Sequence, residues 1–161
     1  MKNKLIIAIG SLIAIVLIVF LGMKISGKDT IDYSLTQNPQ ILDPQVAVDT
    51  TSEDLIAYLF EGLARINKDG KLEPAVAEKW EMKGKIWTFK IKENAKWSNG
   101  DKIVANDFVS SWERALNPYF ESKNSYLMYI IKGAKDYKEG KITDFSQVGV
   151  KALDDKTLQV E

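Results

Sequence analysis

The chain has 161 residues, of which 45% are hydrophobic and 10% aromatic, enough for one packed domain and not the composition of a disordered segment. Lysine plus arginine equals aspartate plus glutamate at 22 each, so no strong overall field exists to attract nucleic acid. The absence of cysteine and histidine excludes a disulfide framework, a thiol nucleophile, a conventional zinc site and a Ser-His arrangement, and with them the lipid-attachment cysteine of a bacterial lipoprotein.

The charge is unevenly placed. Lys2, Lys4 and Lys24 lie within the first 27 residues, which hold no acidic residue. Residues 5–23 form a nineteen-residue uncharged run rich in Ile, Leu and Val, interrupted only by Gly10, Ser11 and Gly22. As a helix the run would reach about 28 Å, close to the hydrocarbon thickness of a bilayer. It exceeds the apolar part of a cleavable signal peptide, and Leu21-Gly22-Met23-Lys24 offers no small-residue cleavage pattern. Residues 1–27 are therefore expected to be a signal anchor, an uncleaved membrane helix, in preference to a cleaved signal peptide. Lys2 and Lys4 place the N-terminus in the cytoplasm and everything after Lys28 outside it, in the periplasm or on the outer face of the cytoplasmic membrane.

After a polar connection, Ile31, Tyr33 and Leu35 alternate with polar residues as in a half-buried strand. Asn38-Pro39 and Asp43-Pro44 impose extended or turn geometry. A helix is expected from Thr50 or Thr51, where Thr50-Thr51-Ser52-Glu53 fits a capping box; Leu55, Ile56, Leu59, Phe60 and Leu63 share a face, and Gly62 suits the C-terminal end. Residues 64–66 and Leu72 flank the polar loop 67–71 as a hairpin. Pro74 is expected to start a short helix ending near Trp80. Trp87, Phe89 and Ile91 alternate over a strand, and Ser98-Asn99-Gly100-Asp101 is a tight turn.

A second long helix is expected over 106–116, with Phe108, Trp112, Ala115 and Leu116 on one face and Pro118 beyond its end. A third is expected over 126–137, stopped by Gly140. Val148, Val150 and Leu153 lead through Asp154-Asp155-Lys156 to Leu158 and Val160 as a hairpin. Glu161 falls inside that last apparent strand, so the expectation is of a truncated domain whose final strand has an unpaired edge. The whole reads as mixed α/β.

The closest carboxylates in sequence, Glu53-Asp54, Asp154-Asp155 and Asp136 with Glu139, are read as solvated surface, because adjacent helical residues point apart and Asp154-Asp155 lies in a turn. No Gly-rich phosphate loop occurs. Trp80, Trp87, Trp97 and Trp112, with Phe89 and Phe108, concentrate between residues 80 and 112; they are read as core, Trp97 being the one best placed to reach a cleft. No enzyme and no cofactor is expected.

Several blocks resemble the family 5 bacterial extracellular solute-binding proteins, in order and spacing. They are Leu42-Asp43-Pro44, Leu59-Phe60-Glu61-Gly62-Leu63, Pro74-Ala75-Val76-Ala77-Glu78-Lys79-Trp80-Glu81 and Trp87-Thr88-Phe89-Lys90-Ile91. The run Asn94-Ala95-Lys96-Trp97-Ser98-Asn99-Gly100-Asp101 through Ala105, Asp107-Phe108-Val109, Ser111-Trp112 and Arg114 is the most diagnostic. Residues 148–158 are similar to the family's oligopeptide-binding branch. Two positions depart from the pattern: Lys102 stands where Pro is common, and Val104 where a Thr would cap the following helix, a contribution of about 0.5–2 kcal/mol.

The resemblance implies a type II periplasmic-binding-protein fold with two ligand-enclosing lobes and an extra domain, here incomplete. Residues 28–60 would be the first segment of a ligand-binding lobe and 61–161 an accessory domain. It implies a receptor that binds oligopeptides in extended form and delivers them to the permease of an ABC transporter. The implied ligand contacts are Val48, Asp49, Thr50 and Thr51, whose backbone would pair with the peptide like an added strand, and Asn124 and Tyr126. Relatives that bind nickel chelates, haem or sugars keep a non-peptide ligand open, and a membrane-anchored hydrolase using a Ser-Lys or carboxylate pair is the reading from another class.

Overall fold

A computed structural model describes residues 32–35 and 37–161. The chain divides into two units, residues 1–35 and Thr36–Glu161. The expected membrane helix and Ile31 lie outside the described residues, among which no helix is long and apolar enough to cross a membrane. Tyr33 and Leu35, expected in a strand, are exposed and irregular.

The second unit is organised by a four-stranded antiparallel sheet. Its strands are β3 (Ala77–Lys83), β4 (Ile86–Ile91), β5 (Val150–Asp154) and β6 (Thr157–Val160), in the order β3-β4-β6-β5. A separate hairpin, β1 (Ala64–Ile66) with β2 (Leu72–Pro74), forms as expected around residues 67–71, with Ile66 opposite Leu72, and extends to pair Ala64 with Pro74. The helices are α1 (Thr50–Leu59), α2 (Ala105–Leu116) and α3 (Ala134–Lys138), with short 3₁₀ turns at Ser125–Met128 and Phe145–Gln147.

Register sorts the sheet into two faces. Trp80 lies opposite Phe89, Met82 opposite Trp87, Phe89 opposite Leu158 and Trp87 opposite Val160, so these side chains share one face. Thr88, Lys90, Thr157 and Gln159 fall on the other. The apolar face is covered by α2, whose Ala105, Ala115 and Leu116 are buried and whose Phe108, Val109 and Trp112 pack on the core around Ile91, Leu158, Val148 and Val150. This one-sided pattern is what an antiparallel sheet with one solvated face requires.

The segment expected as a helix from Pro74 to Trp80 is instead the end of β2 and the start of β3. Glu and Lys favour a helix, but a β-bulge between Ala77 and Lys79 shifts the alternation so that Ala77, Trp80 and Met82 all find partners on β4. A second irregularity, between Ala152 and Asp154, leaves Leu153 exposed and sets Ala152 opposite Leu158. The helix expected over 126–137 is broken into a 3₁₀ turn and α3 by Gly133, whose φ of 71° no right-handed helix accommodates.

The final strand does not have an unpaired edge. β6 is bonded to β4 on one side and β5 on the other. Glu161 is held further: its N–H donates to Gly149 O at 2.7 Å, its C=O accepts from Lys132 N at 2.8 Å, and its carboxylate accepts from Lys132 Nζ at 2.8 Å. The β5–β6 turn is plugged into the core by buried Lys156, whose ammonium donates to Ile103 O at 2.9 Å and Lys92 O at 3.2 Å. Asp155 O accepts from Ala105 N at 2.8 Å, fixing the start of α2 against the same turn.

A Cβ on Gly149 would lie 2.7 Å from Glu161 O and 3.0 Å from the Cβ atoms of Glu161 and Lys132. Backbone on one side leaves little room to yield, so Gly149→Ala should destabilise by about 1–3 kcal/mol. Leu158→Ala, which empties a fully buried site, should cost about 2–5 kcal/mol. Urea denaturation of the two variants beside the wild type checks both values.

Candidate functional site

Residues 38–49 form an irregular segment held against α2 and the loop before the first 3₁₀ turn. Asp43 starts it. Its carbonyl accepts from Val46 N at 3.1 Å and Ala47 N at 3.0 Å, and its Oδ1 accepts from Gln45 N at 3.0 Å, an Asx turn that Pro44 suits. Its carboxylate is also gripped by Arg114 of α2, with Nη2 to Oδ2 at 2.6 Å and Nη1 to Oδ1 at 3.2 Å.

Arg114 Nη1 donates to Gln45 Oε1 at 2.7 Å as well, and its guanidinium lies 4.0 Å from the centroid of the Phe120 ring. The Gln45 amide donates in turn to Ser111 O at 2.7 Å and Ser111 Oγ at 2.8 Å. Ser111 and Arg114, three apart, share the side of α2 that faces away from the sheet. Together they line an open groove of about 400 Å³ with Asp43, Gln45, Trp97 and Asp107. Trp97 is half exposed, and its indole N–H donates to Asp107 Oδ2 at 3.0 Å. The same Asp107 oxygen accepts from Val104 N at 3.0 Å, so the start of α2 keeps a cap despite the valine.

Past Gln45 the chain is pinned twice. Ala47 is buried, and its carbonyl accepts from Asn124 Nδ2 at 3.4 Å. Asp49 is the N-cap of α1, its Oδ1 accepting from Ser52 N at 2.9 Å; the expected capping box at Thr50 gives way to this residue. Ser52 is fully buried, and its Oγ accepts from Gln40 N at 3.1 Å and Ile41 N at 3.3 Å. Between these anchors Val48 is 60% exposed, and neither its N–H nor its C=O has a hydrogen-bond partner among the described residues.

The structure thus brings Asn124 to the segment carrying Val48, Asp49 and Thr50, with Val48 and Thr50 outermost. Thr51 is buried, and the Asp49 side chain is occupied by the cap. Tyr126 is 59% exposed in the 3₁₀ turn. The apolar side of α1 departs from expectation: Leu55 and Ile56 are half buried, but Leu59 and Phe60 are exposed, because the helix stops at Leu59 and is bound to the unit through Thr51 and Ser52. Gly62 is not its cap; Phe60, in extended conformation, is. The cluster of Asp43, Gln45, Ser111 and Arg114 was not foreseen as a unit, although Asp43, Ser111 and Arg114 all stand in the quoted sequence blocks.

Among the described residues no group of acidic side chains is placed to hold a metal ion. Asp154 accepts from Lys156 N, while Asp136 and Glu139 pair with Lys141.

Residues 71–161 match the family described as bacterial extracellular solute-binding proteins, family 5, in its middle region. The chain belongs to this family. The oligopeptide-binding protein OppA of Bacillus subtilis (strain 168) is 44% identical over 137 residues, covering 84% of this chain and 25% of that protein. The structure of the Escherichia coli murein tripeptide binding protein MppA matches with a TM-score of 0.75 and 36% identity over 79% of this chain and 25% of that one. Haemophilus influenzae OppA in complex with RPPGFSPFR matches with a TM-score of 0.71 and 38% identity over 76% of this chain and 25% of that one. The chain therefore spans about a quarter of the length of these relatives.

The Arg114 guanidinium holds the Asp43 carboxyl below the usual carboxylate range, against an opposing effect of burial. A carboxylate with a depressed folded-state pKa contributes stability that is fully present above its unfolded value and lost as pH falls through the folded one. The melting-temperature difference between wild type and Asp43→Asn should therefore be constant from about pH 5 to 7 and shrink below about pH 4. Paired thermal melts across that range, with a difference that persists at the acid end, would contradict the assignment.

Proposed function

We propose that this chain supplies one wall of the ligand cleft of an extracytoplasmic solute-binding protein that takes up oligopeptides in extended form and delivers them to the permease of an ABC importer. Binding, not catalysis, is its task. Residues 28–60 are read as the start of a ligand-binding lobe and 61–161 as accessory domain, with the apolar run 5–23 as tether. The observation that carries the reading is Val48: exposed, with its backbone N–H and C=O free among the described residues, on a segment fixed at Ala47 and Asp49. A free donor and acceptor on one exposed residue can pair with any peptide backbone irrespective of side chains. Kinship with oligopeptide-binding relatives supplies the ligand class.

Asp49, Thr50 and Thr51 contribute through the backbone of the first turn of α1, and Asn124 and Tyr126 form the neighbouring rim. Isothermal calorimetry of the complete gene product should give saturable heat with short peptides of varied sequence. Silence with peptides beside heat from a metal chelate or a sugar would reject the peptide reading, and product release from a peptide or glycan would reject the binding reading altogether. Because the contact is main-chain, Val48→Ala should bind almost as wild type, whereas Val48→Pro, lacking the N–H, should weaken all peptides together by about three- to tenfold.

A further inference from the structure

The Arg114 cluster performs no binding in the reading above, yet it is the most heavily bonded side-chain group on the surface of α2. Its hydrogen-bond partners all belong to the five residues before Val48 or to α2 itself, and Phe120, just beyond α2, lies under the guanidinium. Asp43 is engaged through carboxylate and carbonyl together, Gln45 through both ends of its amide and its own N–H, and Arg114 through two carboxylate contacts, one amide contact and the Phe120 ring. The pair bridges residues 71 apart in sequence. It is nevertheless solvent-accessible, with side-chain exposures of 47% and 26%. An ion pair that open to water adds little to global stability, so its bonding pattern calls for a local explanation.

We propose that Arg114, through Asp43 and Gln45, is a positioning group for the ligand-contacting backbone at Val48: it fixes the height and direction at which residues 46–48 leave α2, so that the free N–H and C=O are presented in one orientation before ligand arrives. The proposal rests on the peptide-binding reading of Val48. Only a fork can do this. A guanidinium holds the carboxylate at two points and the Gln45 amide at a third in one plane, whereas an ammonium in the same place is a single point charge that leaves Asp43 free to turn. Holding the loop in advance removes an ordering cost that the ligand would otherwise meet on binding.

The test uses the complete gene product with Arg114→Lys, which keeps the charge and loses the fork, and Gln45→Ala, which keeps the ion pair and loses the amide bridge; either serves if the other fails to fold. Lys132→Ala removes an ion pair of similar length at the far end of the sheet and is the control. Peptide affinity by calorimetry and amide hydrogen exchange at Val46 and Ala47, whose N–H groups donate to Asp43 O, are read together, with Leu158 as the core reference. The expected result is affinity weakened roughly tenfold, as for other groups that orient a contact without making it, with faster exchange confined to Val46 and Ala47 and unchanged protection at Leu158. Wild-type affinity with wild-type exchange at Val46 and Ala47 overturns the proposal, as does faster exchange at Leu158 in step with Ala47, which would make the cluster a general stabiliser. If wild type itself binds no peptide, the functional reading fails separately, and local exchange at Val46 and Ala47 alone decides whether Arg114 holds the segment.

Discussion

Everything in the described unit depends on α2 having two working faces. The apolar face of a four-stranded antiparallel sheet must be covered, and Ala105, Phe108, Trp112, Ala115 and Leu116 recur at the three- and four-residue spacing that does so. Helical geometry then forces Asp107, Ser111 and Arg114, at the same spacing, onto the other side. The sheet thereby determines where Arg114 stands, and Arg114 in turn receives Asp43. The candidate binding segment is positioned by the same helix that closes the core, and the start of that helix is itself tied to the β5–β6 turn through Ala105 N and Asp155 O.

The polar contacts along this path differ in what they do. Lys156 is buried and its ammonium replaces water for two backbone carbonyls, so its worth is counted in packing and in satisfied hydrogen-bond groups. The Asp43–Arg114 pair sits in the open, where screening and side-chain entropy take back most of the Coulomb attraction. What survives screening is direction: bond lengths of 2.6 and 2.7 Å to two different residues from one rigid plane define an orientation.

Local signals in the sequence were sufficient where local physics decides. The alternation of Trp87, Phe89 and Ile91, the apolar face of α2, the Gly100 turn and both hairpins all emerge as expected, because each rests on periodicity or turn chemistry within ten residues. β3 did not, since a bulge at Ala77–Lys79 disguises its period and its helix-favouring residues are overruled by pairing with β4. Nor did the break at Gly133, where a glycine inside an apparently helical stretch is the single hint and its left-handed backbone the cause. At the site, Asn124 bonds Ala47 O beside the segment carrying Val48, a contact no local signal announces, while the buried Thr51 and the capping Asp49 show that residues adjacent in a loop can have unlike tasks. The contact between Asp43 and Arg114 was beyond reach, because periodicity is silent about residues 71 apart; a charged helix residue three beyond Ser111, on the face the core does not use, was its only trace.

Unpaired backbone is handled in two ways in this unit. The sheet ends at β3 and β5, and both edges carry a register irregularity together with charged residues: Glu78, Lys79, Glu81 and Lys83 on β3, and Lys151 and Asp154 on β5. Bulges and charges are the ordinary means of stopping another strand from adding to an edge. Val48 has neither. It is flanked by a buried alanine and a helix cap, with no irregularity and no charge of its own beside an exposed, extended approach to α1. A fold that guards its sheet edges while leaving the backbone of Val48 open has separated the places where main-chain pairing would mean aggregation from a place where it would mean recognition. That separation is the strongest physical argument that the exposure of Val48 serves a ligand and not merely a loop.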